Sequence, residues 1–282
     1  MDELIITAAQ LRATTAATVI FDCRFSLMDH SMGQREFHSG HIPGAFHLDM
    51  EKDLAGEKTG TNGRHPLPLR LDLQKVLRAA GVDETTNVVI YDANRFAGAA
   101  RAWWLMRFFG LTRVQLLDGG FAAWRDAGFD VESGSARPRA PGNITLAAGS
   151  RTMVARRNEI LSDVRQGSGS LVDAREPARY AGLEEPIDPV AGRIPGARNL
   201  PWIDITDQAG RVAKADALRT LWEKTDTGED PIVYCGSGVT ASVVLLARTL
   251  AGLPGGRLYP GSWSEWCAHE QSPVERSTDP DA

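Results

Sequence analysis

Cys235 has the setting most suited to chemistry. It lies in Pro231-Ile232-Val233-Tyr234-Cys235-Gly236-Ser237-Gly238-Val239-Thr240-Ala241. A short apolar run reads as a buried strand, a Gly-Ser-Gly turn follows, and an apolar helical pattern starts near Thr240. Ligands of open α/β sheets bind at such strand ends. The two glycines allow the backbone to curl around the sulfur. Amides in a turn of this kind converge on an anion, and the following helix adds its positive end. A thiol there is expected to have a depressed pKa and to react as a thiolate. Most free cysteines are small buried hydrophobes; the strand, glycine turn and helix around this one favour a reactive role.

Two chemistries place a cysteine in an anion cradle. Cysteine phosphatases use Cys-x5-Arg, where the arginine grips the phosphate. The sixth residue after Cys235 is Ala241, and residues 236–240 carry no cation. That disfavours phosphatase or arsenate reductase activity. Sulfur transfer, in which the thiolate takes a sulfur atom and becomes a persulfide, is the reading that remains.

The elements that must hold this loop occur twice. Phe21-Asp22-Cys23-Arg24 pairs with Val172-Asp173-Ala174-Arg175 at an offset of 151, and His41-Ile42-Pro43-Gly44-Ala45 with Arg193-Ile194-Pro195-Gly196-Ala197 at 152. Tyr91-Asp92 pairs with Tyr234-Cys235 at 143, and Gly119-Gly120-Phe121 with Gly261-Ser262-Trp263 at 142. Four matches in one order imply a tandem duplication. The expected halves are 1–130 and 150–282, joined by a Gly/Pro-rich linker over 131–149. Within each half, apolar strands alternate with helices: 88–91 then 98–109, and 232–234 then 240–251. This rhythm predicts parallel pairing through right-handed crossovers, an α/β fold. Asp92 stands where the second half has Cys235, so the first half is expected to be catalytically inactive.

Composition narrows the class. The 282 residues are 43% hydrophobic and 24% charged, as in ordinary globular proteins, and suit about two domains. A net charge of −5 speaks against a nucleic-acid partner. No apolar run approaches the ~20 residues of a membrane helix, and the N-terminus lacks a secretory pattern. Cys23, Cys235 and Cys267 are widely spaced, and form neither a disulfide framework nor a zinc C-x-x-C pair. A reducing, cytoplasmic setting follows as the expectation, and Cys23 and Cys267 are read as structural or at most oxidation-sensitive.

The Cys-Gly-Ser-Gly-Val-Thr-Ala loop at 235–241, the Ile-Pro-Gly-Ala motifs at 42–45 and 194–197, Asp-Gly-Gly at 118–120 and Arg-Ala-Trp-Trp at 101–104 together resemble the two-domain rhodanese-type sulfurtransferases, a family that includes 3-mercaptopyruvate and thiosulfate sulfurtransferases. The resemblance spans nearly the whole chain. It implies tandem rhodanese-like domains, each a small parallel sheet flanked by helices, the second one catalytic. It further implies a Cys235 persulfide formed without cofactor or metal, a small anionic sulfur donor, and a thiol, thioredoxin-like or cyanide acceptor. Gly236, Gly238, Val239 and Thr240 would line the donor site. By the same resemblance Ser237 works with His65 and Asp53, and Arg179, with Arg175 nearby, holds the donor. The neutral, hydroxyl-bearing loop suits 3-mercaptopyruvate; thiosulfate is the alternative donor, and a non-catalytic binding module the less favoured reading. Mercaptopyruvate enzymes usually carry a second arginine shortly after the one matched by Arg179. Here Glu184-Glu185-Pro186-Ile187-Asp188-Pro189 has none, and Arg193, in place of a histidine before Ile-Pro-Gly, is the candidate to replace it.

Overall fold

The computed structural model describes residues 4–14, 18–167 and 169–277. The chain divides into two compact units. The first comprises Met1–Gly56, Leu67–Ser150 and Thr206–Val212; the second comprises Glu57–Pro66, Arg151–Ile205 and Ala213–Ala282. Short segments are thus exchanged: 57–66 packs with the second unit and 206–212 with the first.

In the first unit, β1 (Ile5–Ile6), β2 (Thr18–Asp22), β3 (Phe46–His47), β4 (Asn87–Tyr91) and β5 (Val114–Leu117) form one sheet in the order β1-β5-β4-β2-β3, every pairing parallel. Around it lie α1 (Ala8–Ala13), α2 (Met32–Ser39), α3 (Arg70–Ala79), α4 (Ala97–Phe108) and α5 (Gly120–Asp126). The continuous apolar run of β4 matches its place in the middle of a parallel sheet, where Val88 to Tyr91 are all buried. The Gly/Pro-rich stretch 131–149 is tied to this unit: Ile144 and Leu146 are buried, and the Ile144 amide donates to the Val82 carbonyl at 3.1 Å.

The second unit repeats the plan with β6 (Leu171–Asp173), β7 (Arg198–Asn199), β8 (Ile232–Tyr234) and β9 (Arg257–Leu258) in a parallel sheet of order β7-β6-β8-β9. Its helices are α6 (Arg157–Gln166), α7 (Pro177–Ala181), α8 (Ala215–Thr225), α9 (Ala241–Leu250) and α10 (Ser262–Trp266). Its core joins Ile160, Leu171, Ile194, Tyr234, Trp263 and Trp266. The element that follows the candidate nucleophile is apolar nearly all round: Ala241 through Arg248 of α9 are buried. That buried helix and the buried strand β8 fix the loop between them from both ends. Burying each large side chain contributes about 1.5–3 kcal/mol.

The duplication extends to hydrogen bonds. Tyr91 Oη accepts the Ile42 amide at 3.2 Å, and Tyr234 Oη accepts the Ile194 amide at 3.1 Å. The Glu132 carboxylate accepts the Gly44 amide at 2.9 Å, as Glu275 accepts that of Gly196 at 2.9 Å. Among the described residues no helix is long and apolar enough to cross a membrane.

Candidate active site

Cys235 follows β8 directly and is 1% exposed. Its backbone is fastened on both sides: its amide donates to Ser262 Oγ at 3.2 Å, and its carbonyl accepts the Trp263 amide at 2.9 Å. The Gly236 carbonyl accepts the Ser264 amide at 2.9 Å. The chain then turns back so that the Gly238 amide donates to Cys235 Sγ at 3.1 Å. That return needs Gly238 at φ +78, and a Cβ there would stand 2.5 Å from the Pro260 carbonyl oxygen. Val239 and Thr240 lead into α9, and the Val239 carbonyl accepts the Ser242 amide at 3.0 Å. The Ser237 hydroxyl and His65 Nδ1 share a hydrogen bond of 2.8 Å, with both residues buried. His65 belongs to the exchanged segment 57–66, so the pair forms within the second unit.

The first unit's equivalent loop contains its own anion. The Asp92 carboxylate accepts the amides of Asn94 and Phe96 on one oxygen, at 3.0 and 3.2 Å. Those of Gly98 and Ala99 reach the other, at 2.9 and 3.0 Å. A loop of this build in this fold therefore gathers amides on a negative charge. Burial nonetheless dominates at Asp92 and raises its pKa against the four amides.

Around Gly236 stand the cations and their acids. Arg179 donates from Nε and Nη2 to the Glu185 carboxylate at 2.7–3.1 Å, and Arg175 Nη1 reaches the same carboxylate at 3.1 Å. Burial opposes ionisation of Glu185, yet the Arg179 bonds and the Asp188 and Ile187 amides outweigh it, and its carboxyl lies below the usual range. At Asp188 burial prevails and pushes the carboxyl up, even though Arg64 and Arg179 flank it.

The predicted site residues fall into groups. Cys235, Gly236, Ser237, Gly238, Val239, Thr240, His65 and Arg179 belong to the second unit and surround one loop. Arg175 is held inside the fold: it grips Asp173 through Nε and Nη2 at 2.6–3.1 Å, donates to the Gly192 carbonyl at 2.7 Å and lies 4.8 Å over the Trp263 ring. Arg24 makes the same set in the first unit, with Asp22, the Gly40 carbonyl at 2.6 Å and the Phe121 ring at 4.3 Å. The same arginine with the same partners occurs in the first unit, which lacks the nucleophile, so the fold itself accounts for its place. Asp53 lies in the first unit, where its Oδ2 accepts the Asp49 amide at 2.8 Å and burial raises its pKa. Arg193 is engaged by Glu275, the Tyr180 carbonyl at 3.3 Å and Ser277 Oγ at 3.0 Å.

Sequence reasoning missed Ser262, Arg64, Glu185 and Asp188. Ser262 sits at φ +53, where its counterpart in the first half is Gly120 at φ +56. A serine in a glycine conformation is a strained position, and its hydroxyl is the acceptor for the nucleophile's amide. The duplication carried this signal, since Gly119-Gly120 aligns with Gly261-Ser262. The two acids gave only a negative signal, as members of a segment lacking an expected arginine.

Over residues 7–127 and again over 157–269 the chain matches the rhodanese-like domain, and it belongs to the rhodanese family. A probable 3-mercaptopyruvate sulfurtransferase of Pseudomonas aeruginosa is 40% identical over 277 residues, covering 96% of this chain and 97% of that protein. A putative thiosulfate sulfurtransferase, SseB, of Mycobacterium tuberculosis is 38% identical over 281 residues, covering 98% of each. Among solved structures, the 3-mercaptopyruvate sulfurtransferase SseA of Escherichia coli superposes with a TM-score of 0.78 at 31% identity, over 92% of this chain and 98% of that one. The 3-mercaptopyruvate sulfurtransferase of Leishmania major gives 0.85 at 28% identity, over 96% and 76%.

Proposed function

We propose that the protein is a sulfurtransferase that moves sulfur from 3-mercaptopyruvate to a thiol, thioredoxin-like or cyanide acceptor through a Cys235 persulfide. The observation that carries this reading is the loop itself: a strand-end cysteine with an amide on its sulfur, two residues before a serine paired with a buried histidine. The Cys235 thiolate attacks the donor sulfur. The donor's C–S bond breaks and its electron pair passes to the departing pyruvate enolate. Ser237 O–H, backed by His65, protonates that enolate. In the second half-reaction the acceptor attacks the outer sulfur and Cys235 leaves as thiolate, so the cycle is ping-pong covalent catalysis. No metal or organic cofactor enters this scheme.

The neutral loop favours a donor with a ketone to hydrogen-bond over the thiosulfate dianion. Thiosulfate is the second reading, favoured by the naming of the Mycobacterium tuberculosis relative. Without acceptor, the protein is expected to release a burst of one pyruvate per chain and to gain about 32 Da, one sulfur atom, on Cys235. Cys235→Ser should abolish both, and an unchanged rate in that variant overturns the proposal. The ratio of kcat/KM for the two donors decides between them.

A further inference from the structure

We propose that Arg64 is the second cation of the donor site and that it binds the donor carboxylate together with Arg179. This rests on the sulfurtransferase reading above. A Cβ built on Gly236 would lie 2.8 Å from Arg64 Nη2, and 3.3 and 3.5 Å from Arg179 Nη2 and Nη1. Two guanidinium groups therefore converge on the residue next to the nucleophile, and a side chain there would have to displace the end of Arg64.

Each guanidinium is anchored along one edge. Arg179 gives Nε and Nη2 to Glu185, and both Nη2 and Nη1 stand on the Gly236 side. Arg64 gives Nη1 to Asp188, which leaves Nη2 on the same side. Asp188 touches both cations, since its Oδ2 also stands 3.6 Å from Arg179 Nη2. The Asp188 side chain is 4% exposed, and its Oδ2 has no hydrogen-bond partner. The acid thus spaces the two arginines rather than saturating them. Arg64 is also tied to the loop through its backbone: its amide donates to Ser264 Oγ at 3.0 Å, and the Ser264 amide donates to the Gly236 carbonyl at 2.9 Å. Donor nitrogens held by their own acids are preorganised for a planar anion, because little ordering remains when it binds.

Among the described residues, the three heavy atoms nearest a Gly236 Cβ all belong to Arg64 and Arg179. Residues 236–240 and 183–190 contain neither Lys nor Arg, Arg175 is spent on Asp173 and Arg193 on Glu275. Arg64 arrives from the opposite direction in sequence, beside His65, so one short segment would supply both the proton relay and a carboxylate grip.

The test compares 3-mercaptopyruvate with mercaptoacetone, the same ketone and thiol without the carboxylate. Losing a hydrogen bond to a charged partner should raise KM for 3-mercaptopyruvate by about 10- to 150-fold in Arg64→Ala. Its kcat should change less than about threefold, and kcat/KM for mercaptoacetone should stay near wild type. Arg64→Lys should recover part of the KM, as a charge without the planar fork. A general disturbance of the loop would depress both donors alike, and that result overturns the inference. So does an unchanged KM for 3-mercaptopyruvate in Arg64→Ala. If the wild-type protein forms no persulfide from 3-mercaptopyruvate, it is the underlying function that fails. That outcome is visible before any variant is made.

Discussion

Gly238 and Gly196 share a backbone conformation and differ in surroundings, so together they isolate what the loop needs. Both have φ +78. A Cβ on Gly196 meets nothing within 4 Å, whereas one on Gly238 meets the Pro260 carbonyl oxygen at 2.5 Å. Alanine at either position should cost about 1–2 kcal/mol for the left-handed conformation. Gly196→Ala should stop there, with its amide still on Glu275 and its activity intact. In Gly238→Ala the contact is with backbone, so the loop itself must move. The amide that moves is the one 3.1 Å from Cys235 Sγ. An amide donating to a thiolate is a charge-assisted bond of about 1.5–3 kcal/mol, and its loss corresponds to about 10- to 150-fold in kcat/KM. The assay is pyruvate release from 3-mercaptopyruvate, alongside urea midpoints for both variants. The expected pattern is a similar or larger stability loss in Gly238→Ala and a rate loss in that variant alone. Full activity in Gly238→Ala, or an equal rate loss in Gly196→Ala, refutes the reasoning.

Ser237→Ala should lower kcat with 3-mercaptopyruvate by about 100-fold, because an enolate must be protonated, and should barely affect thiosulfate, whose sulfite leaves without a proton; equal effects on the two donors would contradict the proton role. Glu185 has a folded pKa below its unfolded value, so its stabilisation is present above pH ~4.5 and fades as pH falls through the folded pKa. Glu185→Gln should accordingly reduce stability by about 3 kcal/mol at pH 7, and the gap to wild type in urea midpoint should narrow as the pH falls below ~4.5; a pH-independent gap would show that charge is not the cause. Burial, reinforced by Asp188, lifts the Cys267 thiol to about 11. At pH 8 roughly 0.1% of it is thiolate, against about 25% of a free cysteine, so iodoacetamide should label Cys267 about 200-fold more slowly than free cysteine, rising tenfold per pH unit; labelling at the free rate would contradict this.

The loop and its flanking elements were legible because their signals are local. Ile232–Tyr234 is apolar and short, the glycines punctuate, and α9 carries a helical apolar pattern. The duplication was legible too, and it reaches as far as the Tyr91 and Tyr234 hydroxyls. What stayed hidden depends on pairings distant in sequence. Arg64 and Gly236 are separated by most of the chain, and nothing in Gly-Arg-His-Pro reveals that the arginine reaches an aspartate beyond α7. Arg175 and Arg179 lie four residues apart and look alike as text. Only packing distinguishes them, one stacked on the Trp263 ring and bonded to Asp173, the other beside the loop. The segment 57–66 shows the same limit: position in the chain placed it in the first half, while its contacts belong to the second.

Asp92 gives the two copies different thermodynamic dependencies. In the first unit the anion that collects the loop amides is part of the covalent chain, so the loop's stability is settled when the protein is made. In the second unit the corresponding group is a sulfur atom whose charge and size change at every turnover. An anion that binds it reversibly shifts the folding equilibrium of that unit by mass action. Sulfur carried on Cys235 is covalent and stays with the unfolded chain, so it alters stability only through the contacts it makes or loses with the loop amides of the second unit, while the bonds that the Asp92 loop makes to its own carboxylate are the same at every stage of turnover.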